Sequence, residues 1–445
     1  MLKKYPFLSG TLLLTLTGII TRIIGFFYRI FLSHHIGEEG MGIYQLIAPV
    51  MALSFSLTCA GIQTSISKYT ASYIAGNQSK SALRFFVTGF TVSMFLSVAT
   101  ACFLYQNSSV IAADYLMEIR CEPLVRIYAL SLPFAGIHSC INGYYYGLKK
   151  SMIPSVSQLV EQLARVGSVF AIYTYSEYMH CEPSLAVTVL GILIGEICST
   201  ALSLVAFYVH LSGQTLRGAS SSYLLHFREL MRMAVPLIAN RLSLNFLQSM
   251  ETVHIPQRLT MYGLSKSEAL ANYGVLTGMT YPLILFPSAV TSSVSVLLLP
   301  YISEAVAKGD TAKIRSAIKK SVIGCTMMGS LFCIFFLFFG PFLGKVLFNS
   351  QLAGTYIQML SIACPLLYLS GVLTSVLHGL GKAFHAFLYN VFCLLIRLGF
   401  VFFLIPKMGI PGYLIGIFVS ECFLISVMLI TLRKLANFIG VDYNM

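Results

Sequence analysis

Apolar windows of about 20 residues or more recur along this chain with few charges inside them, and that recurrence leaves little choice of fold. Hydrophobic residues make up 57% of the chain and charged ones only 10%, with a mean hydropathy of +0.80. A soluble globular chain carries about 25% charged residues to cover its surface. Twelve windows stand out, near 7–32, 41–64, 84–106, 126–147, 153–175, 185–210, 230–256, 270–299, 317–340, 354–379, 384–405 and 411–432. In hydrocarbon the backbone must satisfy its own hydrogen bonds, which favours helices. The expectation is an all-α polytopic membrane protein with about 12 transmembrane helices.

The net charge of +13 follows from topology. With the N-terminus on the cytoplasmic side, the inner segments hold eighteen Lys and Arg residues and the outer segments six. Basic residues concentrate in cytoplasmic loops. Both termini are therefore expected inside, in a cytoplasmic membrane, and no nucleic-acid partner is needed. The apolar run of "MLKKYPFLSGTLLLTLTGIITR" continues past Arg22, so it reads as a retained first span and not as a cleaved leader. Of eleven cysteines, Cys102, Cys140, Cys198, Cys333 and Cys422 sit in apolar runs as small hydrophobes. Cys121 and Cys181 fall in outer loops, which leaves a disulfide between them open.

The two halves repeat. "RIFLSHHIGEEGMGIYQL" from Arg29 aligns with "RLTMYGLSKSEALANYGVL" from Arg258, at a shift of 229. Farther along, a shift of 232 pairs Pro133 with Pro365, Gly147 with Gly379, Lys150 with Lys382 and Arg165 with Arg397. "GILIGE" ending at Glu196 matches "GIFVSE" ending at Glu421. Six spans per half make the repeats parallel, as in transporters that rock two lobes about a central cavity. The expected organisation is an N-lobe over 1–211, a polar cytoplasmic linker over 212–227 and a C-lobe over 228–445.

Five arginines fall inside spans: Arg22, Arg29, Arg165, Arg241 and Arg397. A guanidinium at mid-bilayer costs about 2.5–3.5 kcal/mol on insertion scales, so it normally faces a bundle interior or a hydrated cavity. "SQLVEQLARV" places Gln158, Glu161, Gln162 and Arg165 on one helical face. One reading is a polar cavity lining, with Arg165 facing Arg397 across the repeat axis. The other is a self-neutralising Glu161–Arg165 pair that locks packing. Arg22 and Arg29 share a face, and Arg29 can instead snorkel to the interface. Arg241, Asn245, Gln248 and Glu251 form a second stripe, read as cavity lining or as a structural network. Glu196 and Glu421 sit at equivalent depths as ion-coupling sites or as packing acids, and Glu251 is a third candidate for ion coupling. His138, His254 and His378 are dispersed and read as packing or network residues, not metal ligands. Tyr144, Tyr145 and Tyr146 suit a membrane interface, with sugar stacking as the alternative.

No phosphate-binding glycine loop and no nucleophile–base order is present; "HGLGKAF" has the wrong spacing. The chain is not expected to be an enzyme, and no cofactor or metal is implied.

"TRIIGFFYRIFLSHHIGEEGMGIYQL" resembles the first helix and loop of the stage V sporulation protein B and polysaccharide-flippase branch of the MATE-like superfamily, which also holds MurJ-type lipid II flippases. "NGYYYGLKKSMIPSVSQLVEQLARV" resembles the fourth-to-fifth helix region of that branch. The resemblance implies two six-helix lobes around a cavity open alternately to each side. It implies undecaprenyl-linked sugars or related lipid-linked glycans as substrates, with Arg22, Arg29, Arg165 and Arg241 meeting the pyrophosphate. Two departures from MurJ-type members stand out. Ile30 occupies the place of an acidic residue, and the chain has about twelve spans without two further C-terminal helices. The implied partners are the glycan lipid, bulk membrane lipids and cell-wall synthesis enzymes, with the chain itself a monomer. A cation or multidrug antiporter and a non-transporting scaffold for wall synthesis stand as alternatives. Five buried arginines argue against the export of cations.

Overall fold

The computed structural model describes residues 6–181, 183–213 and 222–438. Lys3, Lys4, Arg217 and the middle half of the expected 212–227 linker lie outside them. In chain order the helices begin with α1 (Pro6–Leu46), α2 (Ala48–Phe55), α3 (Gly61–Ala75), α4 (Ser79–Gln106), α5 (Ser108–Val110) and α6 (Glu122–Gly147). Then come α7 (Met152–Tyr178), α8 (Ala186–Ser212), α9 (Tyr223–Met261), α10 (Lys266–Gly274), α11 (Tyr281–Leu285) and α12 (Ser288–Ala307). The last six are α13 (Thr311–Phe348), α14 (Gln351–Ser361), α15 (Cys364–Gly379), α16 (Ala383–Phe403), α17 (Ile405–Met408) and α18 (Ile410–Phe438). Wide π-type turns at Ser56–Ala60, Ile111–Tyr115 and Val275–Thr280 interrupt the regular spiral. Among the described residues every regular element is helical. The chain is an all-α, multi-pass membrane protein.

The twelve expected windows all fall on helix, but fewer pass as spans by themselves. Among the described residues, eight helical stretches are long and apolar enough to cross a membrane, or nine if α14 and α15, bent by 59° to one another, make one span. The difference has physical causes. The first stretch, Leu13–Ala75, has 63 residues. At 1.5 Å per residue its helical path, broken at Gly37, adds up to about 95 Å, three times a hydrocarbon core of about 30 Å. It therefore has room for both expected windows at 7–32 and 41–64. α7 and α9 do not pass because their polar stripes dilute the apolar run. The 270–299 window is divided among α10, a wide turn, α11 and α12.

The chain forms two compact units: Met1–Tyr28 with Leu46–Phe246, and Arg29–Gln45 with Leu247–Met445. This differs from the expected division at 212–227, because the first helix of each repeat is shared. Residues 29–45 belong to unit 2 through packing on α10. A methyl group added at Gly42 would lie 2.1 Å from the Leu270 carbonyl oxygen, and one at Gly274 would lie 2.2 Å from that of Glu38. Ser267 donates to Glu39 at 2.6 Å across the same contact. Gly37, with φ of 67°, breaks α1 just before it, a conformation that glycine adopts without steric cost.

The start of α9 belongs to unit 1 for equally local reasons. Leu230 and Ala234 enter a core of Ile62, Ile66, Phe85, Phe86, Cys140 and Ile141. Tyr73 donates to Glu229 at 2.6 Å, and Asn245 donates to the Ala52 carbonyl at 3.2 Å and to Ser56 Oγ at 2.6 Å. Tyr144 and Tyr145 are buried in this core, so the sugar-stacking alternative does not hold for them. The core of unit 2 gathers α12, α13, α15, α16 and α18 around Ile302, Leu373, Val376 and Met428. Cys121 is buried, Cys181 is exposed, and no disulfide joins them.

Close backbone approach at glycine carries a testable cost. Gly42→Ala is expected to destabilise the protein by about 1–3 kcal/mol, the range for overpacking. Gly167→Ala, where an added methyl meets nothing within 4 Å, is expected to be neutral or mildly stabilising. Thermal unfolding midpoints of the two variants in one detergent check this.

Candidate functional site

In unit 1 the polar stripe of α7 lies against α8 because α8 presents glycines to it. Methyl groups at Gly191 and Gly195 would sit 3.0 Å and 2.8 Å from the carbonyl oxygens of Arg165 and Glu161. Small residues four apart permit such close helix crossings. Arg165 Nη2 donates to Glu161 Oε1 at 2.5 Å, with 22% and 18% of the two side chains exposed. The next residue of α8 after Gly195 is Glu196, whose Oε2 lies 3.5 Å from His138 Nδ1 of α6. Asn142 Nδ2 contacts His138 Nε2 at 2.6 Å. Ligand atoms of His138, Glu161 and Glu196 all lie within 4.8 Å of one another. This is the one group among the described residues arranged to hold a cation.

The first helix meets this stripe too. A methyl group at Gly25 would lie 3.4 Å from Gln162 Nε2. Arg22, three residues earlier and so on the same face of α1, is exposed and has no ion pair among the described residues. Gln158 is exposed as well, and Gln162 is half-buried.

In unit 2 the corresponding arginine is differently served. Arg397 Nε of α16 lies 2.7 Å from Glu251 Oε1 of α9, and Tyr413 donates to the same oxygen at 2.7 Å. The Arg397 Nε–H does not aim at the carboxylate, so the contact is ionic rather than a directed hydrogen bond. Both side chains are largely buried, at 13% and 7% exposure. Glu421, also buried, lies within electrostatic reach of Arg397 and keeps Oε2 without a hydrogen bond.

The repeat makes the comparison sharper. The shift of 229 that pairs Arg29 with Arg258 also pairs Arg22 with Glu251. The shift of 232 pairs Arg165 with Arg397 and His138 with Ser370. Unit 2 therefore answers its fifth-span arginine with a carboxylate from the first span of its repeat. Unit 1 has a second arginine at that position, and Glu161, whose repeat mate is Cys393, supplies the counter-charge from the same helix.

The other expected site residues are dispersed. Arg29 is half-buried in unit 2, where Glu251 and the exposed Gln248 also lie. Arg241 is exposed in unit 1 and has no ion pair among the described residues. Asn245 is engaged in packing α9 on α2. The stripe from Arg241 to Glu251 is thus split by the unit boundary at Phe246 and Leu247. Sequence reasoning read His138 as a packing or network residue without naming its partners, and it passed over Asn142 and Tyr413. For the first two a signal existed, since residues four apart on a helix meet.

The profile of the polysaccharide biosynthesis protein family matches residues 7–306. The chain belongs to that family. A MatE profile matches residues 258–403. Stage V sporulation protein B of Bacillus subtilis (strain 168) is 29% identical over 428 residues, covering 94% of this chain and 81% of the relative. Lipid II flippase MurJ of the same organism is 22% identical over 426 residues, covering 88% and 76%. Among solved structures, an inward-facing multidrug resistance MATE family transporter of the MOP superfamily superposes with a TM-score of 0.74 at 15% identity, covering 94% of this chain and 95% of that one. Lipid II flippase MurJ in an inward closed conformation gives 0.70 at 13% identity, covering 95% and 87%. At these identities the likeness is one of fold, and the fold is that of MOP-superfamily transporters.

The unequal pairing predicts unequal costs. Arg397→Ala strands the Glu251 carboxylate in a buried site and is expected to cost about 3–5 kcal/mol, while Glu251→Leu with Arg397→Met recovers most of it. Arg22→Ala is expected to stay within about 0.5 kcal/mol of wild type, as exposed substitutions do. Unfolding midpoints of the three proteins in nanodiscs measure both.

Proposed function

We propose that the protein is an alternating-access flippase that moves an undecaprenyl-pyrophosphate-linked oligosaccharide or peptidoglycan precursor across the cytoplasmic membrane, with both termini on the cytoplasmic side. The observation that carries this reading is the change of sign between the repeats. Where unit 2 places the Glu251 carboxylate, unit 1 places Arg22, and that guanidinium has no counter-ion among the described residues. An external anion can take the role in unit 1 that Glu251 fills in unit 2. A pyrophosphate carries about two negative charges on oxygens that guanidinium donors match in geometry. Membership of a polysaccharide biosynthesis family and similarity to stage V sporulation protein B and MurJ support a lipid-linked glycan as the bearer of that group.

Arg165 and Arg397 take a smaller part in this reading than composition alone suggests, because each already holds a glutamate. Arg22 is the principal anion contact and Arg241 the second spare cation. A multidrug antiporter is the runner-up, supported by fold likeness to a MATE transporter. A site with unpaired arginines disfavours cationic cargo.

Exchange of a fluorescent undecaprenyl-pyrophosphate glycan between leaflets of proteoliposomes tests the reading. Arg22→Ala is expected to slow exchange by about tenfold or more, the loss of one charge-assisted contact worth about 1.5–3 kcal/mol. Arg22→Lys should recover part of the rate. Exchange unaltered in Arg22→Ala would remove the arginine mechanism. No exchange in wild type, together with cation-driven dye efflux, would establish the antiporter instead.

A further inference from the structure

Basic residues are few on the side that the charge bias assigns to the outside, and they are not served alike. Lys and Arg concentrate in cytoplasmic loops, so a cation kept at an outer helix end calls for a counter-charge or a use. In unit 1, Arg120 pairs with Glu118 at 2.8 Å and Arg126 with Glu122 at 2.7 Å. In unit 2, Arg258 in the last turn of α9 and Lys407 of α17 have no ion pair among the described residues.

Arg258 is held in place and yet left open. Its guanidinium lies over the Phe402 ring of α16, 4.6 Å from the ring centre. His254, one turn earlier on α9, packs on the same ring at 5.0 Å and donates Nδ1–H to the Met250 carbonyl at 2.7 Å. Of the five N–H donors of Arg258, one on Nη1 reaches the Met261 thioether at 3.1 Å, a weak acceptor, and the Nε–H is buried without a partner. Stacking, and not hydrogen bonding, therefore sets its position. The carboxyl end of α9 eases the charge without occupying the remaining donors.

The surroundings add a second cation and no acid. The Tyr262 ring rests on Gly409, where a methyl group would lie 3.1 Å from Cε1. That contact brings the end of α9 to the turn after α17, two residues from the exposed Lys407. Residues 252–267 and 398–420 contain no Asp or Glu. The duplication does not explain the stack either. The repeat mates of Arg258 and Phe402 are Arg29 and Phe170, which fall in different units, and the mate of His254 is Gly25.

We propose that this corner of unit 2, where Arg258 stands on Phe402 beside Tyr262 and Lys407, binds the phosphate-type oxyanion of an amphiphile at the outer face of the membrane. A positioned guanidinium offers paired N–H donors to phosphate oxygens, and a lysine adds a mobile point charge. An exposed tyrosine suits the boundary between head groups and acyl chains. Two sources carry this chemistry: the pyrophosphate of a lipid-linked glycan and the phosphate of an acidic phospholipid. Only the first rests on the flippase reading, in which the corner gives the anion a second station, in a different unit from Arg22.

Equilibrium binding of a fluorescent short-chain prenyl pyrophosphate to the full chain tests the site, in phosphatidylcholine nanodiscs that expose both membrane faces. Arg22→Ala serves as the parent, so that the contact proposed for unit 1 is removed. Saturable binding should remain in that parent, and adding Arg258→Gln should weaken it by about tenfold or more, as loss of a charge-assisted contact does. Arg258→Lys, which keeps the charge without the fork, should weaken it less. Arg228→Gln, at the other end of α9, should leave it unchanged. Unfolding midpoints measured in parallel separate packing from binding. An Arg258→Gln protein that unfolds earlier but binds as tightly as its parent overturns the proposal, because the stack is then structural only. Loss of all saturable binding in Arg22→Ala alone overturns it, and so does binding that excess inorganic pyrophosphate fails to displace, which would belong to the prenyl chain. With displacement by pyrophosphate established, added phosphatidylglycerol sorts the sources: competition assigns the corner to phospholipid head groups, and its absence to a pyrophosphate-bearing lipid. Lipid exchange unaltered by Arg22→Ala, together with binding that depends on Arg258, would remove the arginine mechanism of the flippase reading and leave this site standing.

Discussion

A guanidinium or carboxylate among apolar helices has few ways to persist. It can pair, it can be neutralised by a proton, or it can stay wet. Breaking a buried pair costs several kcal/mol, whereas replacing both partners by apolar groups often costs nothing. Paired charges inside a membrane fold are therefore poor stabilisers and good indicators of position. In this protein the pairs fall at matched places in two units: Arg165 with Glu161 in one, Arg397 with Glu251 in the other. The glycines of α8 and the matching Gly416 of α18, where a methyl group would lie 2.6 Å from Phe400, hold the helix that follows each arginine against it. The charged centre of each unit is thus fixed by backbone approach before any side chain is chosen.

The units differ in sign at the first-span position and in the source of the counter-charge to the fifth-span arginine, which is Glu161 of the same helix in unit 1 and Glu251 of the first span in unit 2. Duplication supplies the same scaffold twice, and these changes leave a second, unpaired arginine at the first-span position of unit 1. A closed pair is suited to holding two helices in register, since any motion that separates them exposes both charges to a medium that solvates neither. An open site is suited to a ligand that must leave again, since its groups remain hydrated between visits. The same fold can in this way hold one rigid polar contact and one exchangeable one without a change in helix packing.

Much of this was legible in the amino-acid sequence, and the limits have physical reasons. The apolar windows located the helices because hydrocarbon leaves the backbone few alternatives. The i,i+4 spacing of Glu161 and Arg165 announced their pairing, and the repeat announced that Arg397 was equivalent to Arg165. The partner of Arg397 was not legible, because Glu251 lies 146 positions away and no periodicity links them. Reading the first-span alignment seven residues farther back, from Arg29 to Arg22, would have exposed the change of sign. The acidic partner of His138 was not legible for a similar reason. A lone histidine in an apolar helix gives no hint of a carboxylate that arrives from a helix 58 residues later.

The division into units could not be read from the linker at all. Polar, serine-rich composition marks a candidate connection in the sequence, not where the contacts of a folded unit end. α1 and α9 each contribute to both units, because Gly42 and Gly274 fit together in one and Ile238 fits beside Gly61 in the other. The exchange moves Arg29 into unit 2 and Arg241 into unit 1, but Arg22 stays in the part of α1 that belongs to unit 1, and Glu251 in the part of α9 that belongs to unit 2. Each unit therefore keeps a first-span charge from its own repeat even though neither keeps the whole first helix.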